Sequence, residues 1–230
     1  MKRKDVTLGW HFLQRNKKLG YADGRPVHKK RWFKAKNCRT PRLCSCGMHA
    51  SENILDALKW APGPVLCQVK VHGNIKVASN NDKFVGMERL VIDWINVEDV
   101  IQEFSVWCFE RVLKVCNITN KTCWKVLNEH KQRLAGKVGS DLSSIYNNIP
   151  FKETNILSRS HIRMAVMNLC GYQHDKIQFC KNITNNVAWA ISNRDPKVLP
   201  DRLNSIFLHE LLIMERKLRS IVIKEFQKQK

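Results

Sequence analysis

The sequence predicts an α+β fold, with an N-terminal mixed or antiparallel sheet domain over residues 1–110 followed by an all-α helical domain over residues 111–230. Two patterns predict it: apolar residues alternate with a period of two between turn residues in the first half, and recur at spacings of three and four in the second. A third observation gives the chain enough material for a core. It has 230 residues that are 43% hydrophobic, with only 10 Gly and 7 Pro. Such a composition argues against disorder, collagen-like repeats and a small disulfide scaffold.

Taken in order, Gly9–Leu13 reads as a first strand, and Leu19-Gly-Tyr-Ala-Asp-Gly-Arg-Pro26 as a hairpin turn. Residues 28–46 mix cations, Trp32, Phe33 and three cysteines without a period, and predict loop with at most one short strand. Ser51 is placed to cap a helix whose Ile54, Leu55 and Leu58 share a face, and Pro62-Gly63 stops it. Val65, Cys67, Val69 and Val71 then alternate with Leu66, Gln68, Lys70 and His72, the clearest strand pattern in the chain. A Gly73-Asn74 turn leads into Ile75–Ala78, and Arg89–Asp93 is a further strand. Asn96 is placed to cap a long helix carrying Val97, Val100, Ile101, Phe104, Cys108, Val112 and Val115, and the first domain is expected to end within it, near 110. Helices follow at about 121–135, 158–170 and 173–192, separated by Gly136/Gly139, Asn147–Pro150 and Gly171. A last helix from Pro200 bears the stripe Leu203, Phe207, Leu211, Met214, Leu218, Val222 and Phe226, which closes a bundle or makes a dimer contact. The oligomeric state stays open.

The chain carries 40 Lys and Arg against 20 Asp and Glu, a net charge of +20. Residues 1–46 hold 14 of these cations with 2 carboxylates, whereas residues 47–113 hold 6 with 9. Such an excess directs attention to an acidic partner. No apolar run approaches the length of a membrane span or forms a signal-peptide core, so the expectation is a cytoplasmic protein whose nine cysteines stay reduced. Motifs for a P-loop, a dinucleotide fold, a zincin or an α/β-hydrolase do not occur.

The segment Lys29-Lys30-Arg31-Trp32-Phe33-Lys34, followed by Lys36, Arg39 and Arg42, interleaves cations with aromatics. Cations neutralise phosphates and release counterions, and an exposed aromatic ring stacks on an unpaired base. These residues are the candidate nucleic-acid surface. A solvated basic face over buried aromatics is the plainer alternative. Cys38, Cys44, Cys46 and His49 could supply four zinc ligands, but the Cys-x5-Cys-x-Cys-x2-His spacing lacks a Cys-x2-Cys knuckle, and no metal is assigned. Cys170, His174 and Cys180 offer only three ligands.

Five motifs, Gly9-Trp-His-Phe-Leu13, Gly20-Tyr-Ala-Asp-Gly-Arg25, Cys46-Gly-Met-His-Ala-Ser51, Ala57-Leu-Lys-Trp-Ala-Pro-Gly63 and Val69-Lys-Val-His-Gly-Asn-Ile75, together resemble a family of uncharacterised bacteriophage and prophage proteins. That resemblance supplies no activity. The order His11, Gly47-Met-His-Ala-Ser51, Leu66–Gly73 and Glu88–Asp93 is also similar, more weakly, to the diphtheria-toxin type of ADP-ribosyltransferase fold. This second resemblance implies NAD as cofactor, Glu88 as the catalytic carboxylate, His11 on the nicotinamide ribose, and His49 with Ser51 beside the nicotinamide. An oxocarbenium-like ribose is the species such a carboxylate stabilises. Phe12 departs from the pattern, which has Gly after the histidine. The plainer alternatives are hydrogen-bonded histidines and an exposed Glu88-Arg89 pair at a strand edge. The sequence therefore supports a basic protein acting on or near nucleic acid, with an NAD-dependent transferase or a host-protein interaction module as alternatives.

Overall fold

The computed structural model describes residues 6–20, 23–137, 156–170, 175–195, 197 and 200–229. The chain falls into two compact units, residues 1–98 with 218–230, and residues 99–217. The division lies at the head of the long helix, whereas the sequence pattern places it near 110. It is α+β, with antiparallel sheets in the N-terminal part and helices in the C-terminal part.

In the first unit, β1 (Val6–Leu13), β2 (Trp32–Lys34), β4 (Val65–His72) and β7 (Glu88–Asn96) form a four-stranded antiparallel sheet in the order β1-β4-β7-β2. The period-two pattern of 65–72 makes β4 its centre, because Cys67, Val69 and Val71 all turn fully buried side chains to one face. They pack with Leu13, Phe33, Met48, Ala50, Phe84 and Val91. A second sheet has the order β3-β6-β5, from β3 (Met48–Ala50), β5 (Lys76–Val77) and β6 (Phe84–Gly86). The Gly73-Asn74 turn, with φ of 83° and 51°, thus carries the chain out of β4 into the other sheet, where β5 pairs with β6.

The two sheets are stitched together at Ser51, whose N–H donates to the Trp10 carbonyl (3.0 Å) and whose carbonyl accepts from the Trp10 N–H (2.7 Å). The expected helix cap at Ser51 is therefore corrected. Helix α1 (Ile54–Lys59) begins after Asn53, and the buried Ser51 belongs to the sheet. Gly9 is required beside this stitch, since a Cβ there would lie 2.7 Å from Phe84 Cζ and 2.8 Å from the Ser51 carbonyl oxygen. On the other face of β1, Trp10 meets Phe226 at 6.1 Å between ring centres, and Arg219 donates to the Glu52 carbonyl (3.1 Å).

The second unit is built from α2 (Glu98–Val115), α3 (Lys121–Leu134), α4 (Ile156–Cys170), α5 (Lys176–Ser192) and most of α6 (Pro200–Lys228). Asn96 accepts from the Glu98 N–H (3.0 Å), as its position before an apolar repeat predicts. Asn120 and Asp175 cap α3 and α5 in the same way. Phe104, Phe109, Val112, Val126, Ile183 and Val187 are fully enclosed. The breaks predicted at Gly139, Asn147–Pro150 and Gly171, and His174 of the second cysteine cluster, lie outside the described residues. No helix among the described residues is long and apolar enough to cross a membrane.

His130 on α3 is buried and hydrogen-bonded to the Leu169 backbone, and burial, aided by the charge of Arg133, pushes its pKa down to about 4. An unfolded histidine titrates near 6.5, so between these values the unfolded chain takes a proton that the folded chain refuses. Stability present above pH 6.5 should fall by about 3 kcal/mol as the pH drops through 4. Urea midpoints at pH 7 and pH 4.5 measure this, and His130→Gln should flatten much of the difference. An unchanged pH dependence in His130→Gln would contradict the assignment.

Candidate functional site

The basic segment folds as the edge of the four-stranded sheet. Strand β2 pairs with β7 on one side only, through Trp32↔Leu90, Phe33↔Arg89 and Lys34↔Glu88, and the Lys30 N–H extends the pairing to the Val91 carbonyl (2.7 Å). Alternation along β2 buries Phe33 in the core and turns Trp32 and Lys34 to the opposite face. Lys29, Lys30, Arg31, Lys34, Lys36, Arg39 and Arg42 are all exposed. Lys29 pairs with Asp93 and lies 5.1 Å from the centre of the Trp94 ring, and Lys36 stands 4.0 Å from Asp23. Lys30, Arg31, Lys34, Arg39 and Arg42 make no ion pair among the described residues.

The outward face beside this edge carries Trp32, Lys34, Lys70, His72, Glu88 and Leu90, as the pairing of β2, β7 and β4 requires. Trp32 is half-buried and meets His72 edge-to-face at 6.1 Å, and His72 Nδ1 lies 3.8 Å from Glu88 Oε2. Leu8, opposite Lys70 on β1, is 62% exposed, so this part of the face lies open to solvent.

The same register does not bring His11 and Glu88 together. His11 is opposite Cys67 and Glu88 is opposite His72, five residues further along β4, or roughly 16 Å at strand spacing. They also point to opposite faces. The cause is a bulge in β7: Gln68 pairs with Asp93 but Val69 pairs with Val91, leaving Ile92 as an extra residue. That single residue reverses the alternation, so Arg89 points inward with Val71 and Glu88 points outward with His72. The shared cleft that the transferase resemblance implies for these two residues is therefore corrected to two separate places.

Arg89 is the feature the sequence pattern hides. It is 4% exposed, and its guanidinium donates to the His49 carbonyl (2.8 Å), tying β7 to β3. Burial lowers its pKa to about 10. Burial also holds His11 well below the ordinary histidine range, with the Arg89 charge adding to it, and the same two causes lower His49. Cys67, on the same face, is pushed up to about 12 by burial. His49 has its Nε2 engaged by the Cys44 N–H (3.2 Å), and Ser51 has its backbone engaged by Trp10.

Residues 14–103 match the model of a domain of unknown function, DUF7666. The match takes in β2, the Cys38–Cys46 loop, Arg89 and Glu88, and begins just after His11 and Phe12. No curated protein and no solved structure matches the chain.

Within the matched residues, Cys38 and Cys46 form a disulfide, which corrects the expectation that all nine thiols are reduced. The loop doubles back through Arg42, whose N–H donates to the Cys46 carbonyl (2.7 Å), and this brings the two Cα atoms to 5.8 Å. With both sulfurs in one bond and the His49 ring nitrogen accepting a backbone N–H, the four residues considered for zinc do not converge on a common point. Cys44 remains a free, exposed thiol, with Lys83 Nζ 3.0 Å from its sulfur.

Proposed function

We propose that the protein binds nucleic acid along the β2 edge and the adjoining outward face of the sheet. The observation that carries this is the exposure of all seven cations between Lys29 and Arg42, beside a tryptophan that β2 turns away from the core. An edge strand is where a flexible chain gains access to a sheet. Cations there neutralise phosphates, and the Trp32 ring supplies a face on which an unpaired base stacks. Single-stranded DNA or RNA fits this combination better than a duplex, because stacking needs an unpaired base.

The test is a salt titration of oligonucleotide binding. The logarithm of the affinity should fall with the logarithm of salt by about 0.7 per contacted phosphate on single strands. Reversing Lys29, Lys30 and Arg31 to Glu should weaken binding by about a hundredfold at low salt, equally for all sequences. Trp32→Ala should cost about 1–3 kcal/mol on single strands and leave duplex binding unchanged. Failure of the purified chain to bind DNA or RNA with any salt dependence would overturn the proposal. NAD-dependent transfer, the alternative function, needs His11 and Glu88 at one ligand and gains no support from their placement on opposite faces.

A further inference from the structure

We infer that the inward face of the same sheet holds an oxyanion site centred on Arg89, with His11 as a second donor, whose ligand is a phosphate group. This site lies on the opposite face from the proposed nucleic-acid surface and does not depend on it. Arg89 offers five N–H donors in a planar fork. One contact is made, to the His49 carbonyl, and no carboxylate pairs with the guanidinium among the described residues. A guanidinium that is 4% exposed normally faces a carboxylate, since a lone buried charge is strongly disfavoured.

The neighbouring groups do not supply the missing negative charge. Cys67 is a neutral thiol at ordinary pH, and Asp93, whose charge also reaches Cys67, is held by Lys29. His11 lies on the same inward face, near enough for the Arg89 charge to act on its ring, and that neutral ring contributes one further N–H. The local set is therefore rich in donors and short of acceptors. A carboxylate offers two oxygens to such a set, whereas a phosphate group offers three or more in a tetrahedral array that a guanidinium fork grips with two parallel bonds. The bulge at Ile92 is what creates the site, because without it Arg89 would face solvent.

Equilibrium dialysis of the full chain against labelled inorganic phosphate, at fixed ionic strength set with chloride, tests this. One phosphate should be retained per chain. Arg89→Lys should weaken retention about tenfold, because an ammonium cannot make the two-pronged contact, and His11→Gln should weaken it without loss of cooperative unfolding. The Lys29/Lys30/Arg31→Glu protein should retain phosphate like the wild type, which separates failure here from failure of nucleic-acid binding. Competition by AMP below the concentration at which inorganic phosphate competes would assign the site to a phosphorylated small molecule, and the reverse order to free phosphate. No phosphate retained by the wild type, or equal retention by wild type, Arg89→Lys and His11→Gln, would overturn the inference.

Discussion

Arg111→Ala should lower the stability of the 99–217 unit by about 3–5 kcal/mol, several times the effect of removing an exposed ion pair. Arg111 on α2 donates from Nε to Glu210 Oε2 (2.8 Å) and from Nη2 to Oε1 (3.0 Å), a two-pronged contact to a carboxylate that is only 6% exposed. Removing the arginine leaves that carboxylate enclosed without its cation, and desolvation of the remaining charge accounts for most of the cost. Removing both partners, in Arg111→Ala/Glu210→Ala, should therefore cost less than the two single changes added together. Urea unfolding followed by far-ultraviolet circular dichroism gives all three values. A loss below about 1 kcal/mol for Arg111→Ala would show that the pair behaves as a surface contact.

Phe84→Ala should destabilise the first unit by about 3–5 kcal/mol, since the ring is 2% exposed and packs in the core between the two sheets. Its coupling to Gly9 is the more telling measurement. A methyl group at Gly9 would meet the Phe84 ring at 2.7 Å and the Ser51 carbonyl at 2.8 Å. Gly9→Ala alone should cost about 2–3 kcal/mol. In the Phe84→Ala background one of the two clashes disappears, and the same substitution should cost about 1 kcal/mol less. Strict additivity of the two changes would mean that β1 moves away from the ring instead of pressing on it.

The elements that declared themselves in the sequence are those whose partners lie on one side. Alternation over 65–72 located β4 to the residue, and Asn96, Pro200 and the stripe ending in Met214, Leu218, Val222 and Phe226 located two helices. Short strands were harder to see. Met48–Ala50 and Phe84–Gly86 are three residues each, too brief for a period to emerge, and they become strands because they pair with each other across more than thirty residues. The basic edge could be read because charge and exposure go together, as they do at Lys29–Arg31. Arg89 could not be read that way. Counting by twos from Trp94 puts Glu88 inside and Arg89 outside, and only the pairing with β4 reveals the extra residue at Ile92. The Arg111–Glu210 pair, 99 residues apart in sequence, carries no local signal at all.

The division of the chain at 98/99 with a return at 218 has a consequence for synthesis. A ribosome that has released residues 1–98 has emitted β1 to β7 but not the last turns of α6, which bring Phe226 to Trp10 and Arg219 to the Glu52 carbonyl. The sheets must wait, with Trp10 uncovered, while the 119 residues of the second unit are made and begin to fold on their own local contacts. The last helix therefore acts as a latch that closes only after residues 99–217 have been made. An exposed tryptophan on a waiting sheet edge is the kind of surface that chaperones protect.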